Sequence, residues 1–179
     1  FLLGISPKGI NSDKLAKAIG VEQKTAWRMA YKIRKYLFKI VLLEKFDQVI
    51  ELDETFVGGK NKNRHWDKKV KNSQGRSFKD KTPVLGILQR GTGVICKVLK
   101  DTTSKFLNAP ILRAVSKHAK AVYSDEWSGY KTIHKVFNHY VVDHGRKIYA
   151  VGDIHTNTIE AFWSNYCKRA LMGTYSKVA

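Results

Sequence analysis

The chain has 179 residues, enough for one domain with at most a small appendage, and its 43% hydrophobic content permits a packed core. Its 33 Lys and Arg residues face only 15 acidic ones, and the net charge of +18 predicts a polyanionic partner, most simply nucleic acid. No apolar run approaches the roughly 18 residues of a membrane span, so no membrane-spanning helix is predicted.

Two helices are predicted at the start of the chain. The first runs from Asp13 to Ile19 behind a cap at Asn11 or Ser12, and Gly20 interrupts it. The second spans about 23–37, where apolar residues recur at the steps of one helical face: Ala26, Met29, Ala30, Ile33 and Leu37. Two helices joined by a short glycine-containing turn are typical of a helix-turn-helix, although an ordinary helical hairpin has the same pattern.

The second helix carries the basic groups that a helix in the major groove needs for phosphate and base contacts. They are Lys24, Arg28, Lys32, Arg34 and Lys35. A solvated basic face is the alternative, and the net charge favours DNA. We therefore predict a helix-turn-helix DNA-binding segment over 1–45, with Lys24, Arg28 and Lys32 on the DNA.

After Glu44 the periodicity becomes that of an α/β domain. Strands are predicted over 49–57, 84–88, 94–99, 121–124 and 140–142. The glycines of 90–93 supply a hairpin turn between the second and third strands. Helices are predicted over 110–119, with the residues before it, and from 158 to about 172. Strands followed by helices in this order indicate an α/β fold.

A basic segment without periodicity separates the first two strands. It runs from Lys60 to Lys81 and contains His65 and Trp66. Basic groups around an aromatic ring suit a loop that grips a nucleic-acid backbone and stacks a base. A solvated, partly disordered loop is the alternative in the absence of DNA. The predicted contacts are Lys60, Lys62, Arg64, Lys68 and Lys69.

Three acidic residues stand out by position. Asp53 lies inside an apolar strand, Asp125 ends another, and Glu160 lies in the first turns of an amphipathic helix. Carboxylates that gather raise one another's pKa unless a divalent cation compensates, and hard oxygen ligands select magnesium or manganese. Each has a structural alternative: an edge-strand acid, a turn aspartate and a helix-dipole glutamate, respectively.

The residues around these acids occur in three ordered blocks, ELDETFVGG at 51–59, SDEWSGY at 124–130 and HTNTIEAFW at 155–163. Together they closely resemble the signature blocks of insertion-sequence DDE transposases of the ISXO-like, Merlin-related branch. The interval between Asp125 and Glu160 is similar to that of DDE elements. The resemblance runs from about Val49 to Tyr175, and the preceding helices are similar to the segment that the family places before its core.

The resemblance implies an RNase H-like domain over 46–179, with a mixed five-stranded sheet flanked by helices. Asp53 would lie on the first, central strand, Asp125 just after the fourth, and Glu160 on the following helix. These three would hold two Mg²⁺ or Mn²⁺ ions.

Two further residues match polar positions of the final block. Asn157 would orient or replace a metal ligand. Lys168 would contact DNA near the scissile phosphate, or is only an exposed basic residue beside Arg169. No zinc site is predicted, because Cys96 and Cys167 lie far apart and the histidines are scattered.

The implied function is metal-dependent cleavage and strand transfer of double-stranded DNA at the ends of an insertion element. A homodimer on DNA is expected, in the bacterial cytoplasm and associated with the nucleoid. The alternatives are an RNase H-like nuclease or resolvase without strand transfer, a non-catalytic or decayed DNA-binding fragment, and a basic RNA-binding protein. Phe1 in place of Met predicts a fragment, and the end soon after Tyr175 predicts a C-terminal truncation.

Overall fold

The computed structural model describes residues 2–5, 10–41, 44–58, 61–73, 75, 77–142 and 152–165. They fall into two compact units, one formed by the described parts of 1–44 and 161–179 and the other by those of 45–160. Within these ranges no helix is both long and apolar enough to cross a membrane.

The first unit is helical. It contains α1 (Leu2–Ile5), α2 (Ser12–Ile19) and α3 (Gln23–Val41). The side chain of Asn11 caps α2 by accepting the backbone N–H of Lys14 at 2.8 Å, as predicted. Gly20 ends the helix in the left-handed conformation at φ 70°, which glycine adopts without steric cost. Helix α3 continues past the predicted end at residue 37.

The core of the first unit is narrow. Among the described residues, the buried ones that pack together here are Leu15 and Ala16 of α2 and Ala26 and Ala30 of α3. On the predicted apolar face of α3, Ala26 and Ala30 are buried, whereas Met29 and Ile33 are each 44% exposed. Helix α2 has only eight residues and packs against Ala26 and Ala30. Within the described part of the chain it therefore covers only a narrow face of α3. The side chain of Leu37 lies outside the described residues.

The second unit is built on a mixed five-stranded sheet. Its strands are β1 (Val49–Val57), β2 (Thr82–Gln89), β3 (Gly93–Val98), β4 (Ala121–Asp125) and β5 (His139–Val142). The order is β3-β2-β1-β4-β5, so β1 is central. It pairs antiparallel with β2 and parallel with β4. This α/β architecture confirms the predicted sheet and is consistent with an RNase H-like transposase domain.

One face of this sheet forms the hydrophobic core. Alternation along β1 directs Ile50 and Leu52 to this face, and Ile87 of β2 lies opposite Leu52. Leu107 and Ile111 of helix α4 (Ser104–Ala114) belong to the same core. Each of these side chains is fully buried, which stabilises the fold by about 1.5–3 kcal/mol per residue.

Helix α4 corrects the predicted helix over 110–119. The residues before Pro110 are helical, as expected, but the helix ends at Ala114. Val115 is extended, with φ −106° and ψ 136°, and pairs with Phe46 in a parallel bridge. The backbone of Phe46 bonds to Ala114 and to Ser116, at 2.8 and 2.7 Å. A contact with a segment far away in sequence therefore ends the helix.

The last described helix, α5 (Asn157–Phe162), begins one residue before its predicted start. The predicted continuation beyond residue 165 lies outside the described residues. Short 3₁₀ turns occupy Asn61–Asn63, Trp66–Lys68, Ser128–Tyr130 and Ile133–Lys135.

Candidate metal centre

Two carboxylates meet where the parallel pairing between β1 and β4 ends. Strands β1 and β4 run side by side with Leu52 in register with Ser124. The next residue on each strand is an aspartate, Asp53 on β1 and Asp125 at the last position of β4. Both side chains are half-buried. Because β1 is the central strand, the alternative of an edge-strand acid for Asp53 is wrong.

A third carboxylate joins this pair. One oxygen from each of Asp53, Glu54 and Asp125 lies within 4.8 Å of the other two. The backbone N–H of Glu54 donates to Asp53 Oδ1 at 2.8 Å, and that of Trp127 donates to Asp125 Oδ1 at 3.0 Å. Asp125 therefore fills the turn role considered from the sequence and also contributes to the cluster. Three hard oxygen donors at this spacing could hold a divalent cation.

The charges of this cluster act on a buried tyrosine. Tyr130 is 1% exposed and belongs to the hydrophobic core, as expected of a packing residue. Burial raises the pKa of its hydroxyl well above the ordinary value, and the negative charge of Glu54, then of Asp125 and Asp53, raises it further. The tyrosine is therefore a neutral neighbour of the cluster and is suited to packing rather than to nucleophilic attack.

Glu160 lies outside this close group. Its side chain is exposed on α5, and its Oε1 accepts the hydroxyl of Thr156 at 3.1 Å. Among the described residues, the acids that share a spacing of 4.8 Å are Asp53, Glu54 and Asp125. Asn157, the first residue of α5, is also exposed. Lys168 lies outside the described residues. The structure thus brings two of the three predicted acids together, while Glu160 accepts a hydrogen bond from Thr156, the residue before α5.

A buried carboxylate that the sequence did not single out lies two residues before Asp53. Glu51 is 0% exposed and accepts Arg90 Nε at 2.6 Å and the backbone N–H of Ile159 at 2.9 Å. Its Oε1 is also 3.5 Å from His155 Nδ1. The signal available in the sequence was the two-residue spacing, which puts Glu51 and Asp53 on one face of β1. The partners of Glu51 are remote in sequence and gave no local pattern.

The predicted DNA-contacting residues lie in two places. Lys24, Arg28 and Lys32 are exposed along α3. In the basic segment, Lys62, Lys68 and Lys69 are exposed, and Trp66 is 79% exposed. Lys60 lies outside the described residues.

The described part of the basic segment is held by internal contacts. Asn61 bridges to the backbone of Val70, donating to its carbonyl at 2.7 Å and accepting its N–H at 3.0 Å. Arg64 is half-buried and pairs with Asp80, its Nη2 lying 3.2 Å from Oδ2. Ser73 donates to the same carboxylate at 2.6 Å. These contacts leave Trp66 and the exposed lysines on the outside.

A mixed sheet that carries adjacent carboxylates on its central parallel strands is the arrangement expected of a transposase catalytic domain. The chain belongs to the ISXO2-like transposase domain family, whose sequence model matches residues 45–179. No curated protein and no solved structure matches the chain. Membership of this family supports a transposase function, DNA as the partner and the use of a divalent metal ion.

Proposed function

We propose that this chain cuts DNA at the ends of an insertion element and joins those ends to a target, in a reaction that depends on Mg²⁺ or Mn²⁺. The observation that carries the proposal is the meeting of Asp53 and Asp125 on neighbouring parallel strands, just past the end of the pairing between these strands, with Glu54 beside them. Without a cation this arrangement is unfavourable, because carboxylates within a few ångströms repel one another.

Asp53, Asp125 and Glu160 are the proposed ligands of two ions. When bound, such ions favour deprotonation of an attacking hydroxyl and stabilise charge on the leaving oxygen of a phosphodiester. The backbone donors from Glu54 and Trp127 each fix one oxygen of an aspartate, which orients the two carboxylates before any ligand arrives. Preorganised charge of this kind is a large contribution to catalysis.

Glu160 and Asn157 complete the site in this proposal. They are three residues apart on α5, a spacing that puts both side chains on neighbouring positions of one helical face. Glu160 would supply a carboxylate to the ions, and Asn157 would orient a ligand. Lys168 would contact the DNA strand near the scissile phosphate.

DNA binding is assigned to the helix-turn-helix segment over 1–45 and to the basic segment of the catalytic domain over 46–179. Lys24, Arg28 and Lys32 follow one another at four-residue steps along α3, so they share a face that a groove could accept. Lys62, Lys68 and Lys69 are exposed around Trp66 and suit phosphate contacts next to a stacked base. Lys60 and Arg64 belong to the same proposed surface. A homodimer would bring two element ends together.

The deciding experiment is a strand-cleavage assay on element-end DNA with added magnesium. Asp125→Asn should lower the cleavage rate roughly a thousandfold, the scale seen when a charge-stabilising group is removed from an active site. Glu126→Gln is the matched control, because this adjacent carboxylate is exposed and lies outside the acidic group. Cleavage by Asp125→Asn at the wild-type rate would refute the proposal.

The products distinguish the remaining alternatives. Joining of 3′ ends to a target strand is expected here, whereas an RNase H-like nuclease or resolvase would release cut DNA without joining it. A DNA-binding fragment without catalytic function would retard element-end DNA on a gel and leave it uncut in magnesium.

A further inference from the structure

The buried carboxylate of Glu51 is the centre of a polar network that joins four segments of the second unit. Its Oε1 accepts Arg90 Nε at 2.6 Å, and its Oε2 accepts the N–H of Ile159 at 2.9 Å. Arg90 also donates to the carbonyls of Asp153 and His155, each at 3.0 Å. Its guanidinium lies 5.1 Å from the ring centre of Tyr123 on β4. We refer to Glu51 and Arg90 with these contacts as the Glu51–Arg90 clamp.

The clamp does for α5 what a capping side chain does for an ordinary helix. Ile159 is the third residue of α5, so its N–H has no acceptor within the helix. Glu51 supplies that acceptor from the central strand. Arg90 meanwhile holds the backbone of 153–155, the segment that leads into the helix. Both ends of the connection are thus fixed to the sheet by charged hydrogen bonds, which are the stronger kind.

The clamp connects the two elements that carry the proposed metal ligands Asp53 and Glu160. Glu51 and Asp53 are two residues apart on β1 and share a face, a separation of roughly 6–7 Å along the strand. Ile159 immediately precedes Glu160. A single side chain therefore connects the strand of one ligand to the helix of the other, through contacts that involve neither ligand's carboxylate.

We propose that the Glu51–Arg90 clamp positions Glu160 relative to Asp53, so that Glu51 is a positioning residue of the metal centre. The inference rests on the proposed function, in which both acids bind the ions. It accounts for a feature that packing does not require, since a buried charged pair is costly and an apolar pair of similar volume often stabilises a fold equally well. It also assigns Arg90 a role in holding the segment that enters α5.

The first test measures the helix without any metal. Hydrogen exchange of the Ile159 amide, followed by NMR, reports directly on its bond to Glu51. Glu51→Gln keeps the volume but removes the negative charge, so the bonds to Arg90 and to the Ile159 N–H are both weakened, and one of these donors faces an amide NH₂. We expect Ile159 to exchange roughly tenfold to a hundredfold faster, the range for loss of a bond to a charged group.

The control for this test is Gln89→Met. Gln89 is also buried, and its side chain accepts the backbone N–H groups of Asp47 and Gln48 at 2.8 and 3.1 Å. Within the described part of the chain, its side chain bonds to Asp47, Gln48 and Thr92 and not to α5, so Gln89→Met should leave Ile159 exchange in step with the rest of the sheet. Equal acceleration throughout the sheet in Glu51→Gln would reduce the clamp to a stabilising contact and overturn the proposal. Arg90→Lys, which cannot span the carboxylate and two carbonyls, is the second variant should Glu51→Gln fail to fold.

The second test is a double-mutant cycle on Mn²⁺ affinity, measured in the DNA-free protein. Glu51→Gln should weaken binding roughly 10- to 100-fold, as loss of a group that orients a metal ligand does. If Glu51 acts through Glu160, the double variant with Glu160→Gln binds no more weakly than Glu160→Gln alone. Additive losses would refute a positioning role.

The two tests separate this inference from the proposed function. A wild-type protein that binds no Mn²⁺ would remove the proposed metal centre and with it the positioning role, even if Ile159 exchange responded to Glu51→Gln. A wild-type protein that binds Mn²⁺ but shows an unchanged Ile159 amide in Glu51→Gln would overturn the clamp alone.

Discussion

The two faces of strand β1 are built for opposite purposes. On one face Ile50 and Leu52 are fully buried in the hydrophobic core. On the other, Glu51 is equally buried but held by charged hydrogen bonds, and Asp53 reaches the acidic cluster. Up to Leu52 one row of side chains stabilises the fold, while the other row carries Glu51 and Asp53; Glu54, the next residue on the apolar row, joins the acidic cluster. Substitutions on the two faces should therefore have different consequences.

The largest expected effect on stability comes from the apolar face. Leu52→Ala should lower the free energy of unfolding by about 2–5 kcal/mol, because it removes buried methyl groups and leaves a cavity between β1 and its neighbours. Chemical denaturation measures the change. Val98→Ala on β3 is the control, since Val98 is 61% exposed and should cost little. Similar losses in both variants would contradict the assignment of the core.

A smaller loss of stability is expected from a substitution at Gly129, in the turn that follows Asp125. A Cβ at Gly129 would lie 2.5 Å from Leu107 Cδ1 and 2.6 Å from the carbonyl oxygen of Thr102. Gly129→Ala should therefore destabilise the protein by about 1–3 kcal/mol, as overpacking does. Gly93→Ala, where a Cβ would meet open space, is the matched control. Equal melting temperatures for the two variants would show that the atoms around Gly129 move aside without a loss of stability.

The alternation of side chains along the strand and the order of the three sequence blocks made β1 predictable. The bounds of this strand were predicted correctly, and the resemblance implied that Asp53 lies on the central strand and Asp125 just after the fourth. The burial of Glu51 could not be predicted in this way, since its two hydrogen-bonding partners are 39 and 108 residues distant along the chain. The same limitation explains helix α4, which ends where Phe46 pairs with Val115. Local pattern predicts which residues form an element, whereas its partners depend on packing between distant segments.

A polar residue, His139, lies on the apolar side of the sheet. His139 of β5 lies with Nε2 2.9 Å from Ser124 Oγ on the neighbouring strand. Burial, helped by the nearby His134, lowers the pKa of His139 from 6.5 to about 4. Below about pH 6.5 the unfolded chain therefore binds a proton at His139 that the folded protein does not bind. The free energy of unfolding consequently falls as the pH is lowered from about 6.5 toward 4.

We expect His139 to account for about 1–2 kcal/mol of that loss, allowing for its partial exposure. The free energy of unfolding of His139→Gln, measured between pH 7 and pH 4, should fall less steeply than that of the wild type. The exposed His118, changed to Gln, is the control and should leave the slope as it was. An identical slope in His139→Gln would show that His139 titrates normally in the folded protein.

The smallest expected effect has the opposite sign and belongs to the acidic face. In the absence of metal, Asp53→Asn removes one of three clustered negative charges while Asn Oδ1 can still accept the N–H of Glu54. The variant should be as stable as the wild type or more stable by about 1 kcal/mol, the scale of one charge pair at this distance near water.

Magnesium should make the wild type more stable than Asp53→Asn. A cation that binds only the folded wild type stabilises it by about 2.7 kcal/mol at a hundredfold excess over its dissociation constant, and the variant should gain less. Melting curves with and without magnesium measure both effects. A loss of several kcal/mol in metal-free Asp53→Asn would mean that Asp53 supports the fold as Leu52 does, and the contrast between the two faces of β1 would no longer hold.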